Sequence, residues 1–305
     1  MSIGRPGAFD YLLLIALSII WGSSFLLSKI AVAEVPPMTV TLLRLILATV
    51  LLFAIASAVR QRFAPSGRDH ALMVVCALAG NAIPFSLINW GVAVIDSGLA
   101  AILMGFMPLV LLILAHVFTH DEKMTVPKLI GVLLGICGLV ILFWPELRAG
   151  FGRDLIRQLA VLGASLAYAI NALATKRLAG HPPLALMAYI SAWSVVVLVP
   201  AVLLAEDPFA IRPSQAATLA LLALGVFPTA VGAMLMIAVI RRQGASFFGQ
   251  INLLVPVAGV LMGVIFLAEQ PGLNALVALA VIFSGILAAR FEPKNRQTVP
   301  QGSQP

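Results

Sequence analysis

Apolar residues run through this chain in blocks of about 20, each closed by a charge, a proline or a glycine-rich connector. Ten blocks stand out, at 10–33, 38–59, 70–94, 97–119, 126–144, 156–178, 184–205, 214–240, 246–267 and 273–290. At about 1.5 Å per residue, a helix of this length crosses a hydrocarbon layer about 30 Å thick. Strands of a membrane barrel would be about ten residues long and alternate polar with apolar, which these blocks do not. The pattern therefore predicts an all-α integral membrane protein of ten transmembrane helices, numbered below as spans one to ten. The segment 291–305, rich in Gln, Pro and basic residues, has too little apolar surface to fold and reads as a disordered cytoplasmic tail.

Composition sharpens this reading. The 305 residues are 61% hydrophobic and 10% charged, with a mean hydropathy of +1.07, outside the balance of a soluble domain. The first block continues without an A-x-A-like cleavage site, so it is expected to be a retained span and not a signal peptide. A net charge of +7 would suit nucleic acid if it clustered on a soluble face, but the basic residues sit in short connectors and no nucleic-acid partner is expected. With the N-terminus inside, Arg5, Arg60, Arg62, Arg68, Lys123, Lys128, Lys176, Arg177, Arg241, Arg242, Arg290, Lys294 and Arg296 fall on the inner side. Only Arg148, Arg153, Arg157 and Arg212 fall outside. That bias predicts cytoplasmic termini in a cytoplasmic (inner) membrane. Cys76 and Cys137 both lie within spans and give no disulfide or metal spacing, so neither metal nor cofactor is expected.

Sliding the second half onto the first at an offset of 147 matches Trp21 with Tyr168, Lys29 with Lys176 and Pro36 with Pro183. A one-residue slip matches Pro108 with Pro256, and the original offset then matches Glu122 with Glu269 and Gly138 with Gly285. This order predicts two repeats, 9–144 and 155–290. Each holds five spans, an odd number, so the second enters the membrane from the opposite side. Inverted repeats of this kind recur in secondary transporters, with the substrate near the midplane between the halves.

On these motifs the chain resembles the drug/metabolite transporter superfamily, in particular its EamA-type ten-helix members. The resemblance rests on WGSSFLLSK (Trp21 to Lys29), TLLRLILA (Thr41 to Ala48), and the closing elements EKMTVPKLIGVLLGICG (Glu122 to Gly138) and EQPGLNALVALAVIFSG (Glu269 to Gly285). It implies a carrier exporting small metabolites, among them amino acids, including those of the aromatic amino acid exporter kind. MAYISAWS (Met187 to Ser194) replaces TLLRLILA in the second half, which confines any role of Arg44 to one repeat. Four-helix members of the superfamily carry a glutamate in the first span. Span one here has none, which weakens the case for a cationic drug.

Polar groups inside spans are costly and mark either packing or function. Trp21 and Ser24 in span one, with Ser18, mirror Tyr168 and Asn171 in span six, with Ser165. Asn81, Phe85 and Asn89 share a stripe of span three, with Trp90 beside them. Thr229 follows Pro228 in span eight; in span nine Gln250 and Asn252 lie about 200° apart, and Gln250 is preferred. These residues are candidate substrate contacts. Pro108 and Pro256 each remove a backbone donor at matching depths of spans four and nine and are candidate bending points for gating. Lys29, Arg44 and Lys176 are charges expected near interfaces: Lys29 as an outer anchor, Lys176 as an inner one, and Arg44 paired with Glu34 across the first loop. Gly131, Gly135 and Gly138, and Ala280, Ser284 and Ala288, form small-residue stripes for close helix packing, within a monomer or a homodimer.

No HExxH, nucleophile elbow or P-loop occurs, and the His116 to Asp121 spacing has no companion acyl-donor segment, so no enzyme is expected. Without an acidic residue deep in any span, a neutral or zwitterionic, partly apolar small molecule is the expected substrate. An exporter of lipophilic drugs or nucleotide derivatives is the alternative within transport, and a membrane enzyme or scaffold the alternative outside it.

Overall fold

The computed structural model describes residues 6–118, 124–149 and 153–290. Glu122, Asp121, Arg5, Lys123, Lys294, Arg296 and the tail 291–305 lie outside the described residues. All described secondary structure is helical. Span one is Ala8–Val32, span two Pro37–Ala58, span three Gly67–Val92, span four Ser97–Phe118 and span five Val126–Ala149. Span six is Arg153–Lys176, span seven Pro183–Ala205, span eight begins at Gln215, span nine is Ile251–Leu267 and span ten Leu273–Arg290. Nine described helices are long and apolar enough to cross a membrane; the tenth, span nine, has 17 residues. Val50, Val196, Leu203, Ile265 and Phe266 are each more than half exposed, an apolar exterior that lipid solvates and water would not. The chain is a multi-pass membrane protein.

Starts and stops follow from local chemistry. Spans two and seven open on a proline at their first position, where the missing N–H costs nothing. Ser66 and Ser214 cap spans three and eight by accepting the N–H groups of Asp69 and Ala217. Spans eight and nine are divided at Gly244, whose φ of 80° and ψ of 171° only glycine adopts without strain. The chain thus turns within the gap that the apolar pattern leaves between 240 and 246.

Spans three and eight are not regular helices throughout. Leu78–Ala82 and Gly225–Val231 are π-helical, and their first residues match at the 147-residue offset. Span four is interrupted by a turn at Gly105–Phe106, so Pro108 sits second in the segment Met107–Phe118. Pro256, by contrast, lies within a helix that runs unbroken from Ile251 to Leu267. The two prolines are therefore not equivalent: a turn precedes one and none interrupts the other. Pro256 packs instead on the turn before Pro108, since a Cβ on Gly105 would lie 3.1 Å from Pro256 Cγ, where spans four and nine cross.

Span five packs along span ten, two along seven and eight, one along nine and eight, three along six and seven, and four along six and nine. Exchanging spans one to five with six to ten maps this set onto itself. The tightest seam is five against ten: Gly131 and Gly285 each lie where an added Cβ would come within 2.6 Å of the other's carbonyl oxygen. Only paired glycines allow this approach. Gly131 and Gly138 of the span-five stripe serve the seam as expected, but span ten meets them with Ala278, Ile282, Gly285 and Ala289, one residue round the helix from the expected stripe, whose Ala280 and Ser284 are exposed.

Candidate functional site

The side chains that meet the two π-helical segments come from both halves. A π-helical turn leaves carbonyls out of register, and single insertions of this kind gather at functional sites. In span eight, Pro228 has no N–H for the Leu224 carbonyl. The Thr229 hydroxyl donates to that carbonyl at 2.8 Å and accepts from Arg44 Nε at 3.2 Å and Nη2 at 3.0 Å. The Pro228 carbonyl in turn accepts the Trp21 indole N–H at 3.1 Å. Trp21 lies so close to span eight that a Cβ on Gly232 would come within 2.5 Å of Nε1. Around the other π-segment, Asn81 donates to the Ser194 hydroxyl at 3.0 Å, and the Asn171 side chain fills the space over Gly80 while accepting from Thr175.

Phe85 joins these groups. The Arg44 guanidinium carbon stands 3.8 Å from its ring centroid, and the Tyr168 ring meets it edge-on at 6.3 Å. Trp21, Arg44, Phe85, Tyr168 and Thr229 thus form one linked centre in which spans one, two, three, six and eight all take part, while Asn81 and Asn171 bond separately at the other π-segment.

Arg44 departs from the sequence expectation. It does not pair with Glu34: it is 3% exposed, and no carboxylate lies within ion-pair distance of it among the described residues. The reason is geometric. Arg44 is the eighth residue of span two, about 10 Å below its start, and points across to span eight. Insertion scales set the cost of such a charge at about 2.5–3.5 kcal/mol at a helix centre. Glu34 is engaged elsewhere, its carboxylate taking the Ser214 N–H and hydroxyl, both at 2.6 Å; those bonds hold it below the usual carboxylate range.

Other candidates stand apart. Asn89 is fully buried and ties span three to span two, donating to Thr41 Oγ1 at 2.9 Å and to the Pro37 carbonyl at 3.3 Å, while its Oδ1 has no partner. Trp90 is 37% exposed, with the Arg157 guanidinium stacked 3.7 Å over its ring. Ser24 and Gln250 are half-buried, Gln250 in the turn before span nine, and neither makes a side-chain hydrogen bond among the described residues. Asn252 bonds back to the Gly249 carbonyl. Lys29 reaches the end of span three, donating to the Ile95 carbonyl at 2.7 Å, and Lys176 is exposed at the end of span six.

A set of end-to-end ties went unnoticed in the sequence. Glu206, after span seven, accepts the N–H groups of Met38 and Thr39 at the start of span two, at 3.1 and 2.7 Å. Gln61, after span two, accepts those of Leu184 and Ala185 at the start of span seven, at 3.0 and 3.3 Å. Glu269 accepts from Ser97 and Gly98 at the start of span four, at 2.7 and 2.9 Å. Beside it, Asp96 is pushed above the usual carboxylate range, first by burial and then by the like charge of Glu269, with Lys29 opposing. The pattern of Glu or Gln just past one apolar block and proline just before another was the available signal. The π-segments had one too, in Pro84 and Pro228. Among the described residues no three of His, Cys, Asp and Glu stand together as metal ligands.

The model of the EamA-like transporter family matches this chain twice, over residues 8–144 and 155–291. The uncharacterized transporter YoaV of Bacillus subtilis is 25% identical over 288 residues, covering 93% of this chain and 97% of that one. A probable terminal-alkyne amino-acid exporter of Streptantibioticus cattleyicolor is 28% identical over 281 residues, covering 92% and 91%. A solved crystal structure at 19% identity superposes with a TM-score of 0.66 over 93% of this chain and 97% of its own, a likeness of fold.

Proposed function

The chain belongs to the EamA-like transporter family of the drug/metabolite transporter superfamily, and from that premise we propose that it exports small metabolites, foremost amino acids with apolar or aromatic side chains. The halves 9–144 and 155–290 act as inverted repeats and work by alternating access, in the cytoplasmic membrane with both termini in the cytoplasm. Support for the inverted relation comes from the exchange symmetry of the span contacts and from the two π-segments at one offset. Support for the orientation comes from the bias of Lys and Arg among the connectors.

The observation that carries this reading is the linked centre, where Trp21, Arg44 and Phe85 of one half meet Tyr168 and Thr229 of the other. Aromatic walls with a few polar groups suit a partly apolar molecule, and a midplane site between repeats is where a carrier binds. Export of amino acids also agrees with what one relative is named for. Pro108, just after the turn in span four, and Pro256, packed on Gly105 where spans four and nine cross, are the bending points of the gating motion.

The test is efflux of labelled amino acids from liposomes holding the full chain. Apolar and aromatic amino acids are expected to leave faster than from protein-free vesicles, and Trp21→Ala or Tyr168→Ala to slow this by about tenfold or more. Efflux of a lipophilic cation or a nucleotide sugar, with no amino acid moved, would establish the alternative reading. No flux of any of these would remove transport of small metabolites.

A further inference from the structure

Arg44 is a buried cation without a counter-charge among the described residues. Thr229 offers its guanidinium one neutral oxygen, shared by Nε and Nη2, and Phe85 covers one face; Nη1 meets no acceptor among the described residues. The surrounding groups include a second unused donor. The Tyr168 phenol, whose ring meets the same Phe85 edge-on, has no hydrogen-bond partner among the described residues. Two donors thus adjoin one aromatic ring, and no carboxylate among the described residues balances the guanidinium. Folding keeps such a group buried only where a partner of opposite charge completes it.

We propose that Arg44 binds the carboxylate of the transported molecule, with the Tyr168 phenol as second donor and the Phe85 and Tyr168 rings as the wall for an apolar side chain. This rests on the carrier reading and narrows it: the substrates are carboxylates, and an amine of the same shape is not one. A planar guanidinium held along one edge by Thr229 keeps the other edge free to take a carboxylate with two N–H groups, a geometry that lysine does not reproduce.

The experiment measures thermal unfolding of the full chain in detergent with L-phenylalanine, 3-phenylpropionate or 2-phenylethylamine, alongside efflux of labelled L-phenylalanine from liposomes. Both acids are expected to raise the unfolding temperature of the wild type, and the amine to leave it unchanged. In Arg44→Gln the concentration of acid needed rises about ten- to hundredfold, the usual worth of a charge-assisted bond. An amine that stabilises as well as the acids, no response to any of the three, or an Arg44→Gln protein that responds like wild type overturns the proposal. Should Arg44→Gln not fold, Arg44→Lys and Tyr168→Phe decide: both are expected to weaken the acid response, and two unchanged responses overturn it. Acid binding that depends on Arg44 without any flux sinks the carrier reading alone. Flux that is indifferent to Arg44 sinks this inference alone.

Discussion

Thr229 serves two groups at once, donating to the carbonyl that Pro228 leaves open and accepting from Arg44. Thr229→Val keeps the shape and removes both bonds, leaving a buried carbonyl and a buried cation short of partners. A loss of about 2–4 kcal/mol is expected, read as a lowered unfolding temperature. Asp96 gives the opposite sign. Its pKa is raised in the fold, so its ionised form destabilises, and that cost grows as pH rises past the ordinary aspartate value. Asp96→Asn should therefore match wild type at low pH and exceed it near neutral pH, by less than about 1 kcal/mol because solvent still reaches the partly covered carboxylate. A variant less stable than wild type at neutral pH would contradict this. Residue partners were the least legible part of the sequence. Glu34 and Arg44 are near in the chain and opposite in charge, yet the helical rise carries one below the other and each finds its partner some 180 residues away.

At the scale of elements, apolar block length located the ten spans because the bilayer fixes that length and little else competes. It said nothing of the π-helical segments, since one extra residue in a turn barely alters an apolar run, nor of the turn at Gly105–Phe106. Small-residue spacing forecast close packing of span five, but neither its partner, span ten, nor the face of span ten that meets it. Gly131→Val places a side chain against the Gly285 carbonyl and must push these spans apart. The expected cost is about 1–3 kcal/mol or more, visible as lower yield of folded protein and a lower unfolding temperature. An unaffected variant would mean that the seam tolerates a wider gap than its geometry implies.

At the scale of the whole molecule, the matched contacts of the two halves were foreshadowed by the 147-residue offset, whereas the ties at the ends of the bundle were not. Alternating access requires each end to open in turn. Cross-linking Thr39→Cys to Glu206→Cys, or Gln61→Cys to Leu184→Cys, is expected to stop exchange of substrate across liposomes, and reduction to restore it; flux through either locked protein would rule out motion of those ends. The two ties occupy corresponding places but differ in kind. Glu206 holds the first N–H groups of span two with a full negative charge set on a helix N-terminus, while Gln61 holds those of span seven with a neutral amide. In a carrier that opens its ends in turn, unequal latches would set the resting state: the end closed by the amide would yield before the end closed by the carboxylate.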